Sequence, residues 1–307
     1  MSNPILPDGP DGMPWDGPLL MFHDLVDHAP LFAFIDGMLV EYQRFEKFVT
    51  PVDRLTRRGH LVLVSGPDGV GKSSFVQWCA RKLERHPEIA NPLVFYFGLA
   101  ALPPECVNFR KTAAWLLRQM ALVLEGKEGM TREDIDKLLR EADDPYVAFG
   151  GLVDVLHDKS AVALIILPQK IPLEWVRGFR DMARARMVFF AEWGAADRVE
   201  LAAGFGEVPT CYSAFLQLSQ MAGVEADIRE ILTNRVAGMD EAERKLVAEA
   251  LRNFPVPREA IDELVYLFDI RGSGKMTPSK VRAYQDDLTK RLLKALERKP
   301  PQGRKER

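Results

Sequence analysis

Residues 61–73 read Leu61-Val62-Leu63-Val64-Ser65-Gly66-Pro67-Asp68-Gly69-Val70-Gly71-Lys72-Ser73, a short apolar run that breaks into a glycine-rich turn. The apolar run shows no alternation of polar and apolar residues, as expected of a parallel strand covered on both faces. From Lys72 onward, Phe75, Val76, Cys79 and Leu83 keep helical spacing. A buried strand, a tight turn and an amphipathic helix therefore follow one another without a gap.

The turn, Gly66 to Ser73, fits G-x-x-x-x-G-K-[ST]. In this pattern the glycines let the backbone curl until successive N–H groups point inward and cradle phosphates. The positive end of the following helix faces the same anion. Lys72 then sets its ammonium between the β- and γ-phosphates, and the Ser73 hydroxyl ligates Mg²⁺. Gly66, Pro67, Asp68, Gly69, Val70 and Gly71 form the cradle, and Ser74 adds a backbone N–H. Asp68 reads as a turn-former rather than a catalyst. The plainer alternative is a glycine-rich turn that merely joins strand to helix. The four fixed positions arise by chance in roughly 1% of chains this long, and the flanking elements agree with the motif. The expected ligand is a nucleoside triphosphate with Mg²⁺; no separate base-reading motif of a GTPase is present, and the motifs alone do not fix adenine over guanine.

Outward from the loop, residues 93–97, 162–167 and 187–191 have the same buried-strand character, while 212–218 alternates more and is expected at one side of the sheet. Helical patterns occupy about 72–85, 109–125, 131–141, 145–157 and 173–185. Alternating strands and helices predict an α/β fold, a parallel sheet of about five strands with helices on both faces. After about residue 222 the strands stop, and 224–236, 240–254, 258–268 and 278–296 read as amphipathic helices. The expected organisation is a flexible leader (1–18) and a phosphate-loop domain (19–221), then a helical lid subdomain (222–298) and a basic tail (299–307). The phosphate-loop domain opens with one or two helices over 19–42, broken near Pro30.

Composition narrows the class. The 307 residues are 47% hydrophobic and 28% charged, with a net charge of −3, the profile of a globular protein able to bury a sizeable core. Neither a nucleic-acid nor a membrane-surface partner is indicated, and the basic tail and Arg57-Arg58 lack interleaved aromatics. No apolar run reaches membrane-spanning length. Cys79, Cys106 and Cys211 are few and widely spaced, which points to reduced thiols, a cytoplasmic location and no thiolate metal site. The five histidines show no metal or triad spacing, and Trp78, Trp115 and Trp175 lie on apolar helix faces as core residues.

Hydrolysis needs carboxylates near the loop, usually at the end of a second buried strand. The strand over 161–167 ends instead in Pro168-Gln169-Lys170. Gln169 can hold a water but cannot take its proton. The next strand ends at Glu192, and adjacent parallel strands bring their carboxyl ends to one crevice. Glu192 therefore has two readings: a base or water-positioner facing the γ-phosphate, or a strand-end carboxylate bonded to a helix N-terminus or a nearby arginine.

The phosphate loop, the strand order and the trailing helices together resemble the AAA+ superfamily, closest to its signalling (STAND-like) and origin-recognition-like branches. The resemblance covers about residues 40–298, and only the phosphate loop is a specific match. The family resemblance makes ATP the preferred nucleotide. It implies that 162–167 is the Mg-acid strand, with the usual acids absent, and that Glu192 takes the place of a polar sensor. It also implies assembly into rings, arcs or filaments in which a neighbour's arginine completes each site. Arg198 is the candidate arginine, with a surface pair to Asp197 or Glu200 as the alternative. Lys280 and Arg282, at the start of the last helix, are candidates for the lid's contact to phosphate. Cations there oppose the helix dipole, which a bound anion would offset; solvated surface charge is the alternative.

The turn 269–277 resembles a calcium loop, but Arg271 and Lys280 stand where carboxylates are required, so no calcium is expected. The function expected is a nucleotide-dependent switch or assembly factor with weak or slow ATP hydrolysis, acting through self-association or a protein partner. The alternatives are a non-hydrolysing nucleotide-binding scaffold and, with least support, a small-molecule kinase.

Overall fold

The computed structural model describes residues 5–15, 17–22, 26–98, 100–125, 130–194, 196–271 and 275–297. The chain divides into two compact units. The larger comprises Gly17–Phe32 and Asp36–Gln220, and the described residues of the smaller lie within Met1–Asp16, Ala33–Ile35 and Met221–Arg307.

The larger unit is built on a five-stranded sheet, β1 (Gly59–Ser65), β2 (Asn91–Tyr96), β3 (Ala161–Ile166), β4 (Met187–Trp193) and β5 (Cys211–Gln217). The strands are ordered β2-β3-β4-β1-β5 and every pairing is parallel. β1 and β3 are buried at every residue, which suits the apolar runs 61–64 and 161–166 and also takes in His60 and Ser65 of β1. β5 alternates, as expected of a strand at one side. β2 was expected to share the buried character of the central strands, but it is the other edge, and only alternate residues are buried.

Helices α1 (Asp36–Val49), α2 (Lys72–Glu84), α3 (Phe109–Glu125), α4 (Arg132–Glu141), α5 (Pro145–Asp158), α6 (Leu173–Met182) and α7 (Arg198–Phe205) complete this unit. Successive strand residues point to opposite faces, and β4 shows the result. Phe189 meets Phe149 of α5 and Phe179 of α6, with ring centroids 5.8 and 5.7 Å away. Phe190, on the other face, meets Phe45 of α1 at 6.2 Å. Helices thus cover both faces of the sheet.

Two local expectations are corrected. The helical reading of 19–42 fails at its start: a single 3₁₀ turn spans Ala29–Leu31, and the helix begins at Asp36 and continues to Val49. Leu19 and Met21 instead donate their N–H groups to Ser74 Oγ and Gln77 Oε1 of α2, both at 3.0 Å. α7 lies outside the helical patterns expected from the sequence, and Asp197 caps it by accepting from Val199 and Glu200 N–H at 2.7 and 3.3 Å.

The smaller unit holds α8 (Val224–Arg235), α9 (Glu241–Ala250), α10 (Pro257–Arg271) and α11 (Pro278–Glu297). Leu232, Val247, Leu264, Leu267 and Tyr284 are buried within it. A capping box of Asp240 and Glu243 starts α9. Residues 5–15 depart from the flexible leader expected there. Ile5 is buried, its carbonyl accepts from Arg235 at 3.3 Å, and Asp8 bridges to Pro14. The basic tail, residues 1–4 and 16 of the leader, and residues 272–274 of the calcium-like turn lie outside the described residues. The three cysteines are free and buried.

Candidate functional site

The loop between β1 and α2 takes its shape from glycine. Gly66, Gly69 and Gly71 have φ of 154°, 81° and 91°, conformations that side chains disfavour. Space matters as well, because a Cβ on Gly66 would lie 2.6 Å from the Leu218 carbonyl oxygen. Val70 is fully buried and anchors the turn. α2 starts at Lys72 with Gly71 as its cap and no side-chain cap bond. Its first N–H groups and its positive end therefore remain available to an anion at the loop.

Lys72 lies along this loop, donating to the carbonyls of Gly66 and Pro67, each at 2.8 Å. The Asp68 carboxylate is 3.5 Å away but fully exposed, consistent with a turn residue. The Ser73 hydroxyl is held from two sides. It donates to Glu192 Oε2 at 2.7 Å and accepts from Gln169 Nε2 at 2.9 Å. Ser74 turns its hydroxyl away to the Leu19 N–H.

Glu192 reaches Ser73 because β4 is the direct neighbour of β1, with Glu192 paired in register to Val64. Its carboxyl sits in a desolvated place that pushes its pKa above the usual glutamate value, against the opposing effects of the Ser73 hydrogen bond and the Lys72 charge. The plainer alternative placed Glu192 on a helix N-terminus or an arginine. The carboxylate does lie at the first turn of α2, and its partner there is the loop serine. Tyr96, at the end of β2, is a neighbour that no sequence motif marks. Its hydroxyl is buried without a hydrogen-bond partner, and burial together with the Glu192 charge raises its pKa.

Arg198 is the first residue of α7, with its side chain 37% exposed. Its guanidinium lies 3.7 Å from Glu41 Oε1 of α1, a buried carboxylate that Arg44 also contacts. Asp197, one of the partners expected for Arg198, caps the helix backbone instead. Lys280 and Arg282 belong to the helical unit. Lys280 donates to the Lys275 carbonyl at 2.8 Å, and Arg282 lines a hollow with Glu249, Arg252 and Gln285.

Among the described residues no group of three or more His, Cys, Asp or Glu side chains is placed to hold a metal by itself. Mg²⁺ has other needs. It takes hard oxygen ligands and is held by one or two carboxylates together with substrate phosphates. The Ser73 hydroxyl and the Glu192 carboxylate, one hydrogen bond apart beside a phosphate-type loop, are a donor set that fits it.

No protein-family model matches the sequence. No relative is found among curated proteins. Solved structures do resemble it. The Aeropyrum pernix ORC2 protein in its ADPNP-ADP complexes aligns with a TM-score of 0.54 at 15% identity, covering 81% of this chain and 66% of that one. Its ADP form aligns at 0.50 and 13%, covering 82% and 67%. Domain III of the Thermotoga maritima replication initiation protein DnaA aligns at 0.44 and 13%, covering 84% and 95%, too distant to add weight. The chain thus has an AAA+-like P-loop fold, a parallel α/β core accompanied by a helical unit. Among the described residues no helix is long and apolar enough to cross a membrane.

Proposed function

We propose that the protein binds Mg-ATP in the 66–73 loop and works as a nucleotide-dependent switch or assembly factor that hydrolyses ATP slowly. The observation that carries this reading is the Ser73 hydroxyl, clasped between Glu192 and Gln169 at the mouth of a glycine cradle. Lys72 would exchange the carbonyls of Gly66 and Pro67 for phosphate oxygens, an exchange of neutral acceptors for anionic ones. Bound Mg²⁺ would neutralise part of the phosphate charge. Slow turnover follows from Pro168 and Gln169, which offer no proton acceptor where β3 ends. Self-association belongs to the same proposal. Arg198 would leave Glu41 and meet a neighbour's phosphates, for which its partial exposure is suited. Adenine is preferred by resemblance.

The test is ligand-induced stabilisation. Mg-ATP at about a hundredfold excess over its dissociation constant should stabilise the fold by about 2.7 kcal/mol, seen as a raised melting temperature. Lys72→Ala should remove the shift. An equal shift in that variant would move the nucleotide away from this loop.

A further inference from the structure

We infer that Glu192 is the carboxylate that holds and orients Mg²⁺ in this site, transferred from the usual strand to its neighbour, and is not the base that activates water. This inference rests on the Mg-ATP reading above. The hydroxyl expected to ligate the metal, on Ser73, donates directly to Glu192 Oε2 at 2.7 Å. A carboxylate one short hydrogen bond from that hydroxyl borders the place a cation bound there must occupy. The other partner of the Ser73 hydroxyl is the Gln169 amide, whose Nε2 is a donor at 2.9 Å and so repels a cation rather than attracting one.

The sheet makes the transfer possible. β4 stands between β1 and β3, so the end of β4 is one strand from the phosphate loop and the end of β3 is two. A glutamate on the nearer strand reaches the first turn of α2 directly, and its register partner Val64 lies one residue before the end of β1. β3 ends one strand farther out, and Pro168 after it has no functional side chain. Its successor Gln169 spans the distance with a neutral amide. The arrangement also separates two tasks. A carboxylate engaged by Ser73 on one oxygen and drawn toward a metal cannot also stand in line behind an attacking water. The site then binds Mg-nucleotide well and turns it over poorly, which is the behaviour of a switch.

The test is the ratio of ATP affinities measured by calorimetry with Mg²⁺ and with EDTA. Wild type should bind at least about tenfold tighter with Mg²⁺, the size of one charge-assisted contact. Glu192→Gln should keep the EDTA affinity and lose the Mg²⁺ gain to within about twofold, while Glu192→Asp should keep part of it. Retained EDTA affinity shows that the variant is folded. A Glu192→Gln protein that keeps the full Mg²⁺ gain yet no longer releases phosphate would make Glu192 the base and overturn the inference. Wild type lacking any Mg²⁺ gain would also overturn it. Failure of the Mg-ATP reading looks different: no ATP binding in either condition, or binding unchanged by Lys72→Ala.

Discussion

Gly66 and the Leu218 carbonyl approach so closely that a single added Cβ would lie 2.6 Å from the oxygen. The contact is between two backbones, the start of the phosphate loop and the residue following β5, so neither side can yield by rotating a side chain. It holds the first turn of the loop against the sheet, where Leu218 N–H also donates to the Ser65 carbonyl at 2.8 Å.

Gly66→Ala should therefore lower stability by about 1–3 kcal/mol, the range for backbone strain and overpacking. ATP affinity should fall with it, because the strain lies in the cradle. Thermal unfolding with and without nucleotide checks both effects. Gly71→Ala meets only the mobile end of Met38, 2.7 Å away, so its cost should come mainly from its φ of 91°.

Acid should destabilise the fold through His60. This residue is fully buried between Phe48 and Tyr212, with Nδ1 on the Arg58 carbonyl and Nε2 without a partner. Burial lowers its pKa to about 4. Between about pH 6.5 and 4 the unfolded chain binds the extra proton, so stability present above that window is lost as pH falls through it. The loss is on the order of 3 kcal/mol. Melting curves from pH 7 to 4 should show the decline, and His60→Phe, which suits the aromatic surroundings, should flatten it.

Arg198→Ala should leave ATP affinity unchanged and reduce any rise of turnover with protein concentration. The Arg198–Glu41 pair at 3.7 Å is long, and Arg44 still accompanies Glu41, so the stability change should stay within about 1 kcal/mol. Phosphate release measured across protein concentrations separates this from a structural role. Unchanged concentration dependence would leave Arg198 as the partner of Glu41 alone.

Gln169→Glu should lower the stability of the nucleotide-free protein, because it sets a second carboxylate beside the Ser73 hydroxyl that Glu192 already engages. Bound Mg-ATP should offset that loss, because a cation draws the two carboxylates together. Melting with and without Mg-ATP reads both effects.

The sequence exposes those parts of this molecule whose signals are local. The unbroken apolar runs of β1 and β3, the glycine pattern and the helical spacing of α2 each involve contiguous residues, and each corresponds to an element of the structure. The alternation over 212–218 likewise marks an edge strand. Relations between distant residues are not written in such patterns. That Glu192 meets Ser73 depends on β4, rather than β3, lying beside β1, and strand order leaves no periodic trace. Glu41 under Arg198 is one of three acids on an amphipathic helix. Tyr96 reads as an ordinary strand aromatic. Ile5 lies among prolines and glycines that resemble a loose leader, yet it is buried and its carbonyl is held by Arg235, 230 residues away. β2 reads as a central strand because Leu93, Val94 and Phe95 are consecutive and apolar, although the sheet leaves one of its sides open.

Phosphate release from Mg-ATP by the full chain, beside Lys72→Ala, decides whether ATP acts at the 66–73 loop and is slowly hydrolysed there. Slow turnover that rises more than linearly with protein concentration and disappears in the variant is the expected result. ATP binding without any turnover, lost in Lys72→Ala, would contradict hydrolysis and make the protein a nucleotide-stabilised scaffold. Turnover that persists in Lys72→Ala would mean that ATP is not hydrolysed at this loop.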